Sequence, residues 1–119
     1  MTRRVVAVRT ADGRAVALRC ESAERFAERA VGLLGRRGLA ADGGMLIART
    51  GSVHMFFMRF AIDAVFLDRA QTVVKVVPNL RPWRIAAARR TKTVLELPVG
   101  TIERLGLEPG ERLVVGDAP

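Results

Sequence analysis

A chain of 119 residues, 50% apolar and 27% charged, suits a single domain and is too apolar for intrinsic disorder. Its apolar stretches are broken within a few residues, which leaves no membrane-spanning run of ~20 residues. The formal net charge of +8, from 20 basic and 12 acidic residues, speaks to solubility and to contact with polyanions, not to fold.

The opening Met1-Thr2-Arg3-Arg4 precedes an apolar run that ends at Arg9, shorter than the ~7–15-residue core of a secretory signal. It reads as a strand, and the chain as a cytoplasmic protein. Residues 5–8 and 14–18 are extended runs separated by Thr10-Ala11-Asp12-Gly13, a hairpin signal because glycine takes the positive φ the turn needs. Cys20 is the only cysteine, so no intramolecular disulfide exists, which fits a reducing compartment. The period then changes. Ala23, Phe26, Ala27, Ala30, Val31 and Leu34 recur at helical spacing, Ser22 stands at an N-cap position and Gly35 at a C-cap, predicting one amphipathic helix over 22–34.

A glycine-rich loop follows, through Asp42-Gly43-Gly44, with neither a dinucleotide fingerprint nor a P-loop lysine. Residues 45–48 and 53–60 read as strands, the second apolar on both alternating sets and therefore buried on both faces. Residues 63–67 and 72–77 form a second hairpin, which Pro78 is expected to end. A loop with Pro82 and several arginines leads to a strand over 93–97, a short helix over 98–105 closed by Gly106, and a last strand over 112–115. These elements predict one domain over 1–119, mainly β with an α+β character. The expected fold is a compact antiparallel sandwich or small barrel of about eight short strands, covered by the 22–34 helix.

The order of motifs resembles a known family. Arg29-Ala30-Val31-Gly32-Leu33-Leu34-Gly35-Arg36, Gly44-Met45-Leu46-Ile47, Phe56-Phe57-Met58-Arg59, Ile62-Asp63-Ala64-Val65-Phe66-Leu67-Asp68, Val94-Leu95-Glu96-Leu97-Pro98-Val99-Gly100 and the closing 107–114 segment are similar to the DUF192 family, small bacterial and archaeal proteins of unknown function. The resemblance covers residues 22–116 and implies a compact β-rich domain without an established activity. The chain departs from the pattern at Phe57, where the family carries tryptophan, at Phe60-Ala61 in place of a polar pair, and at Glu111 in place of aspartate. Many members also carry an N-terminal signal, which is not expected here.

No complete catalytic constellation emerges. His54 is the only histidine, and Ser52 lies two residues away on the same predicted strand, ~6.6–7 Å by strand rise, a poor nucleophile–base pair. One cysteine and one histidine are too few for a Cys/His structural zinc site, and neither a metal nor a cofactor is expected. Met45, Met55 and Met58 have thioethers suited to a soft metal, but their spacing fits core packing. Asp63 has two readings: a carboxylate that accepts backbone N–H bonds and fixes a turn, or one that faces a pocket with Arg59 and His54. Residues 69–95 hold seven basic residues and no acid, with Trp83 between Pro82 and Arg84. Basic residues around an aromatic suit a nucleic-acid backbone and a stacked base.

The first expectation is a non-enzymatic domain binding a small molecule or a protein, with Gly44, Met45, His54, Met58, Arg59 and Asp63 as candidate ligand residues. The second is weak nucleic-acid or polyanion binding through the 81–92 loop by Arg81, Trp83, Arg84, Arg89, Arg90 and Lys92. The third is a hydrolase centred on His54 and Asp63.

Overall fold

The computed structural model describes residues 4–23 and 36–119. Strand β1 (Arg4–Thr10) turns through Gly13, at φ +96°, into β2 (Ala15–Ala23), as the Asp-Gly signal predicts. Ser22 and Ala23 complete β2, and the rest of the predicted 22–34 helix lies outside the described residues. Strand β3 (Gly43–Ala48) pairs parallel to β2, and every other strand pair is antiparallel.

Strands β4 (Ser52–His54) and β7 (Ile85–Ala87) form a separate two-stranded ribbon. Strands β5 (Ile62–Leu67), β6 (Val73–Leu80), β8 (Thr93–Leu97) and β9 (Leu113–Asp117) join β1, β2 and β3 in one seven-stranded sheet, in the order β6-β5-β8-β3-β2-β1-β9. The helix α1 (Thr101–Leu105) follows β8 and ends at Gly106, whose φ of +64° is the left-handed cap expected of it.

The sheet curls until its two edges touch. Val73 N–H donates to Glu111 (2.8 Å), Gly110 N–H to Val73 (2.8 Å) and Leu113 N–H to Gln71 (2.9 Å), so β6 and the approach to β9 close one end of a half-barrel. Beside this seam Arg14 donates to the Leu105 carbonyl (2.6 Å) and pairs with Glu111 (2.8 Å). Glu111, the carboxylate that departs from the family pattern, thus ties the first hairpin to the last strand.

Alternation splits the core in two. Val65 and Leu67 of β5, with Leu95 and Leu97 of β8, point into the curl with Val8, Cys20, Leu113 and Ile102 of α1. Ile62, Ala64 and Phe66 point to the other face with Met45, Ile47 and Val94, beneath Val53 and Ala86 of the ribbon. All six residues of β5 are buried. The doubly buried strand is therefore β5, not the 53–60 segment, of which only 53–54 are strand.

Pro78 does not end β6. Ile62 faces Leu80 but Ala64 faces Val77, so the extra residue on β6 makes a bulge at Pro78-Asn79. A proline is tolerated there because β6 is an edge strand, with no ladder on its outer side to require its missing N–H.

Candidate functional site

Asp63 is the most constrained polar residue of the predicted set. It is fully buried, and its side chain lies on the inner face of the curl, opposite Leu97. One carboxylate oxygen accepts the N–H of Asn79 (2.9 Å), and the other accepts those of Gly100 (3.1 Å) and Ile102 (2.9 Å). The first bond fixes the β6 bulge, where Asn79 has φ +52°, and the other two hold the start of α1. Of the two readings of Asp63, the turn-fixing one describes this geometry.

The six candidate ligand residues do not converge on one concavity. Gly44 and Asp63 belong to the inner face, and Met45 and Met58 are buried in the outer core. Arg59 is exposed, and His54 sits half-buried on the ribbon, across the sheet from Asp63. A cleft of about 290 Å³ opens elsewhere, between β2 and the 36–44 segment, where Arg36 forks onto Glu21 at 3.0 and 3.3 Å.

The basic 81–92 stretch is not a single loop. Strand β7 runs through it and divides the cations between the two ends of the ribbon. Arg81, Trp83 and Arg84 lie at one end, where Met55 N–H donates to Arg84 and Trp83 N–H to Met55, both at 2.8 Å. Arg89, Arg90 and Lys92 lie at the other, beside Thr50 and Gly51.

The first of these ends holds what the sequence pattern conceals. Residues 55–58 and 81–84 are two turns of one kind, closed by Met58 N–H to Met55 (3.3 Å) and Arg84 N–H to Arg81 (3.2 Å). In each, the third residue has a positive φ: Phe57 at +65° and Trp83 at +69°. This is the type II pattern, which has proline at the second position, as Pro82 is, and normally glycine at the third. Here the third residue is a large aromatic. The Phe57 and Trp83 rings meet edge to face with centroids 4.9 Å apart, Phe56 reaches Trp83 at 5.9 Å, and His54 stacks on Phe56 at 4.6 Å. Phe57 is 70% exposed, Trp83 59% and the neighbouring Ile85 65%.

Phe56 and Phe57 fall within the 53–60 run that reads as a buried strand, which hides this platform in the sequence. The available signal was the adjacent pair itself, since a strand buries neighbouring side chains only when both its faces are covered.

Cys20 offers no reactive alternative. It is buried inside the curl, and burial, followed by the charge of Glu21, pushes its thiol up to about 12. The thiolate is the nucleophile, so native protein at pH 8 is expected to resist a thiol-specific reagent until it unfolds. Stoichiometric labelling within seconds under native conditions would contradict this burial.

Among the described residues no group of three or more His, Cys, Asp and Glu side chains is placed to hold a metal, and no helix is long and apolar enough to cross a membrane.

The chain is similar to proteins from several organisms. A UPF0127 protein of Pyrococcus furiosus is 36% identical over 105 residues, which cover 85% of this chain and 90% of that one. Another from Pyrococcus abyssi is 39% identical over 97 residues, 78% and 82% of the two chains. A crystal structure from Sinorhizobium meliloti, described as a candidate transcription regulator, superposes with a TM-score of 0.80 at 33% identity, over 96% of this chain and 94% of that one. A protein of unknown function from Novosphingobium aromaticivorans gives 0.79 at 29% identity, over 94% and 84%. The model of the family DUF192, described as "Uncharacterized ACR", matches residues 7–115, and the chain belongs to that family.

Proposed function

We propose that this protein is a non-enzymatic binding domain that takes a ligand or partner on the aromatic tip formed by His54, Phe56, Phe57 and Trp83. The observation that carries this reading is the repeated turn. Each left-handed residue with a side chain costs roughly 1–2 kcal/mol relative to a right-handed one. Glycine would build either turn without that penalty, yet both third positions hold exposed aromatic rings. Backbone strain of this sort clusters where a surface has a task besides folding. Large exposed apolar patches likewise mark interaction sites.

The hydrolase reading has no comparable support. Its carboxylate is held by three backbone amides on the inner face, whereas the histidine lies on the ribbon over the outer core. The neighbour described as a candidate transcription regulator supports a role in binding rather than turnover. The lone, protonated Cys20 supports placing the protein in a reducing cytoplasm.

Phe57→Gly and Trp83→Gly are expected to leave unfolding free energy within about 1 kcal/mol of the parent, because relief of strain offsets the added chain entropy. The same variants should lose ligand binding. A screen of small planar and anionic compounds by amide chemical shifts should show perturbations concentrated at residues 54–57 and 83–85. Perturbations confined to the cleft lined by Arg19, Glu21 and Arg36, unchanged by either substitution, would overturn the proposal.

A further inference from the structure

We infer that the aromatic tip is a base-stacking site for single-stranded nucleic acid, with the ribbon's arginines following the phosphates; this rests on the binding role proposed above. The first ground is charge. Residues 49–95 carry nine basic residues and only two acids. Both acids are already engaged by backbone amides: Asp63 by the three described above, and Asp68 by Ala70 (2.8 Å) and Thr72 (2.9 Å). Arg59, Arg81, Arg84, Arg89 and Arg90 are exposed, and none forms an ion pair among the described residues. A protein partner complementary to this surface would have to be strongly acidic, whereas every nucleotide brings an anion with it.

The second ground is the kind of apolar surface. The exposed patch is mostly rings, and the Phe57 and Trp83 rings, in edge-to-face contact, are each more than half exposed, with Arg84, unpaired among the described residues, next to Trp83 in the chain. Aromatic rings stack any base, and guanidinium groups serve phosphate as a bidentate fork. The third ground is linear arrangement. Arg81 and Arg84 lie at the tip and Arg89 and Arg90 in the turn past the far end of β7, whose three residues span about 10 Å. Cations therefore flank β7 at both ends, a separation that a strand a few nucleotides long can span.

Trp83 is the only tryptophan and the chain has no tyrosine, so intrinsic fluorescence reports on the proposed site directly. Titrating the intact protein with a 12-nucleotide oligouridine should quench that emission. Anisotropy of the labelled 12-mer should give a log affinity that falls with log salt at a slope of about −2 to −3.5, for three to five phosphates. Trp83→Ala should weaken binding about five-fold to hundred-fold, Trp83→Phe should largely restore it, and Arg84→Gln with Arg89→Gln should flatten the salt slope. Circular dichroism on each variant checks that the fold is retained.

Heparin serves as the polyanion without bases and uridine monophosphate as the base without a strand. Heparin binding as tightly and with the same loss on Trp83→Ala, or the mononucleotide binding as tightly as the 12-mer, would overturn the inference. So would an acidic peptide that binds the tip where the 12-mer does not. If the 12-mer fails to bind at low salt while small compounds still perturb the tip, the stacking inference falls and the binding-domain reading stands.

Discussion

Asp63→Ala is expected to lower the unfolding free energy by about 4 kcal/mol, more than any substitution of an exposed residue. The carboxylate is fully buried, and its removal leaves the N–H groups of Asn79, Gly100 and Ile102 without acceptors. The Ile102 bond is buried and the Asn79 and Gly100 bonds partly so; an orphaned buried donor costs about 1–3 kcal/mol, a partly buried one less, and a bond to a charged acceptor lies at the upper end of such values. Against a total stability of about 5–15 kcal/mol this leaves a marginal protein. Asp63→Asn should lose about half as much, since it keeps one acceptor oxygen but turns an NH₂ toward donors. Urea unfolding checks this as a shift in midpoint at constant slope. A loss below about 1 kcal/mol for alanine would refute the three-amide anchor. The consequence extends to the tip. The Asn79 amide fixes the bulge of β6 immediately before Leu80 and the Arg81-Pro82-Trp83-Arg84 turn, so loosening it should also blunt ligand binding at Trp83.

Asp63 also marks how far local pattern reaches. Its alternatives were visible in the sequence, but the deciding partners lie 16, 37 and 39 residues away, and no spacing rule connects them. The hairpin through Gly13 and the cap at Gly106 were legible because each depends on one residue's φ. Pro78 is not the strand end its residue type suggests, because tolerance of proline depends on whether the strand is an edge, a property of the sheet and not of the strand. Strand β7 went unseen because three residues are too few to show a period. The platform was hidden for a different reason. Met55 and Met58 are buried while Phe56 and Phe57 between them are exposed, and hydrophobicity alone does not separate a core residue from a binding residue. What distinguishes them is backbone: a type II turn with an aromatic at its third position is informative once φ is known.

Gly44→Val is expected to cost about 3 kcal/mol, and the result separates two roles for a residue first read as a ligand contact. Gly44 is buried in β3, where a Cβ atom would lie 2.9 Å from the Glu96 carbonyl oxygen, 3.2 Å from a Leu97 methyl and 3.4 Å from the Ala17 Cβ. The leucine methyl is the end of a side chain, though one fully buried in the core. The carbonyl is fixed, because β8 is hydrogen-bonded between β3 and β5, with Glu96 facing Met45 on one side and Ala64 on the other. The central strands must therefore separate to admit a side chain, and valine, branched at Cβ, asks more of them than alanine. Gly44→Ala should fall between valine and the parent. Gly38→Ala is the control: that glycine is exposed, with nothing within 4 Å of its Cβ position, and should change stability by less than about 0.5 kcal/mol. If Gly44 instead served a ligand, alanine would leave the unfolding midpoint unchanged and weaken binding alone. A large loss of stability, with tip binding intact in whatever fraction remains folded, assigns Gly44 to the close approach of β3 and β8 and leaves ligand contact to the aromatic tip.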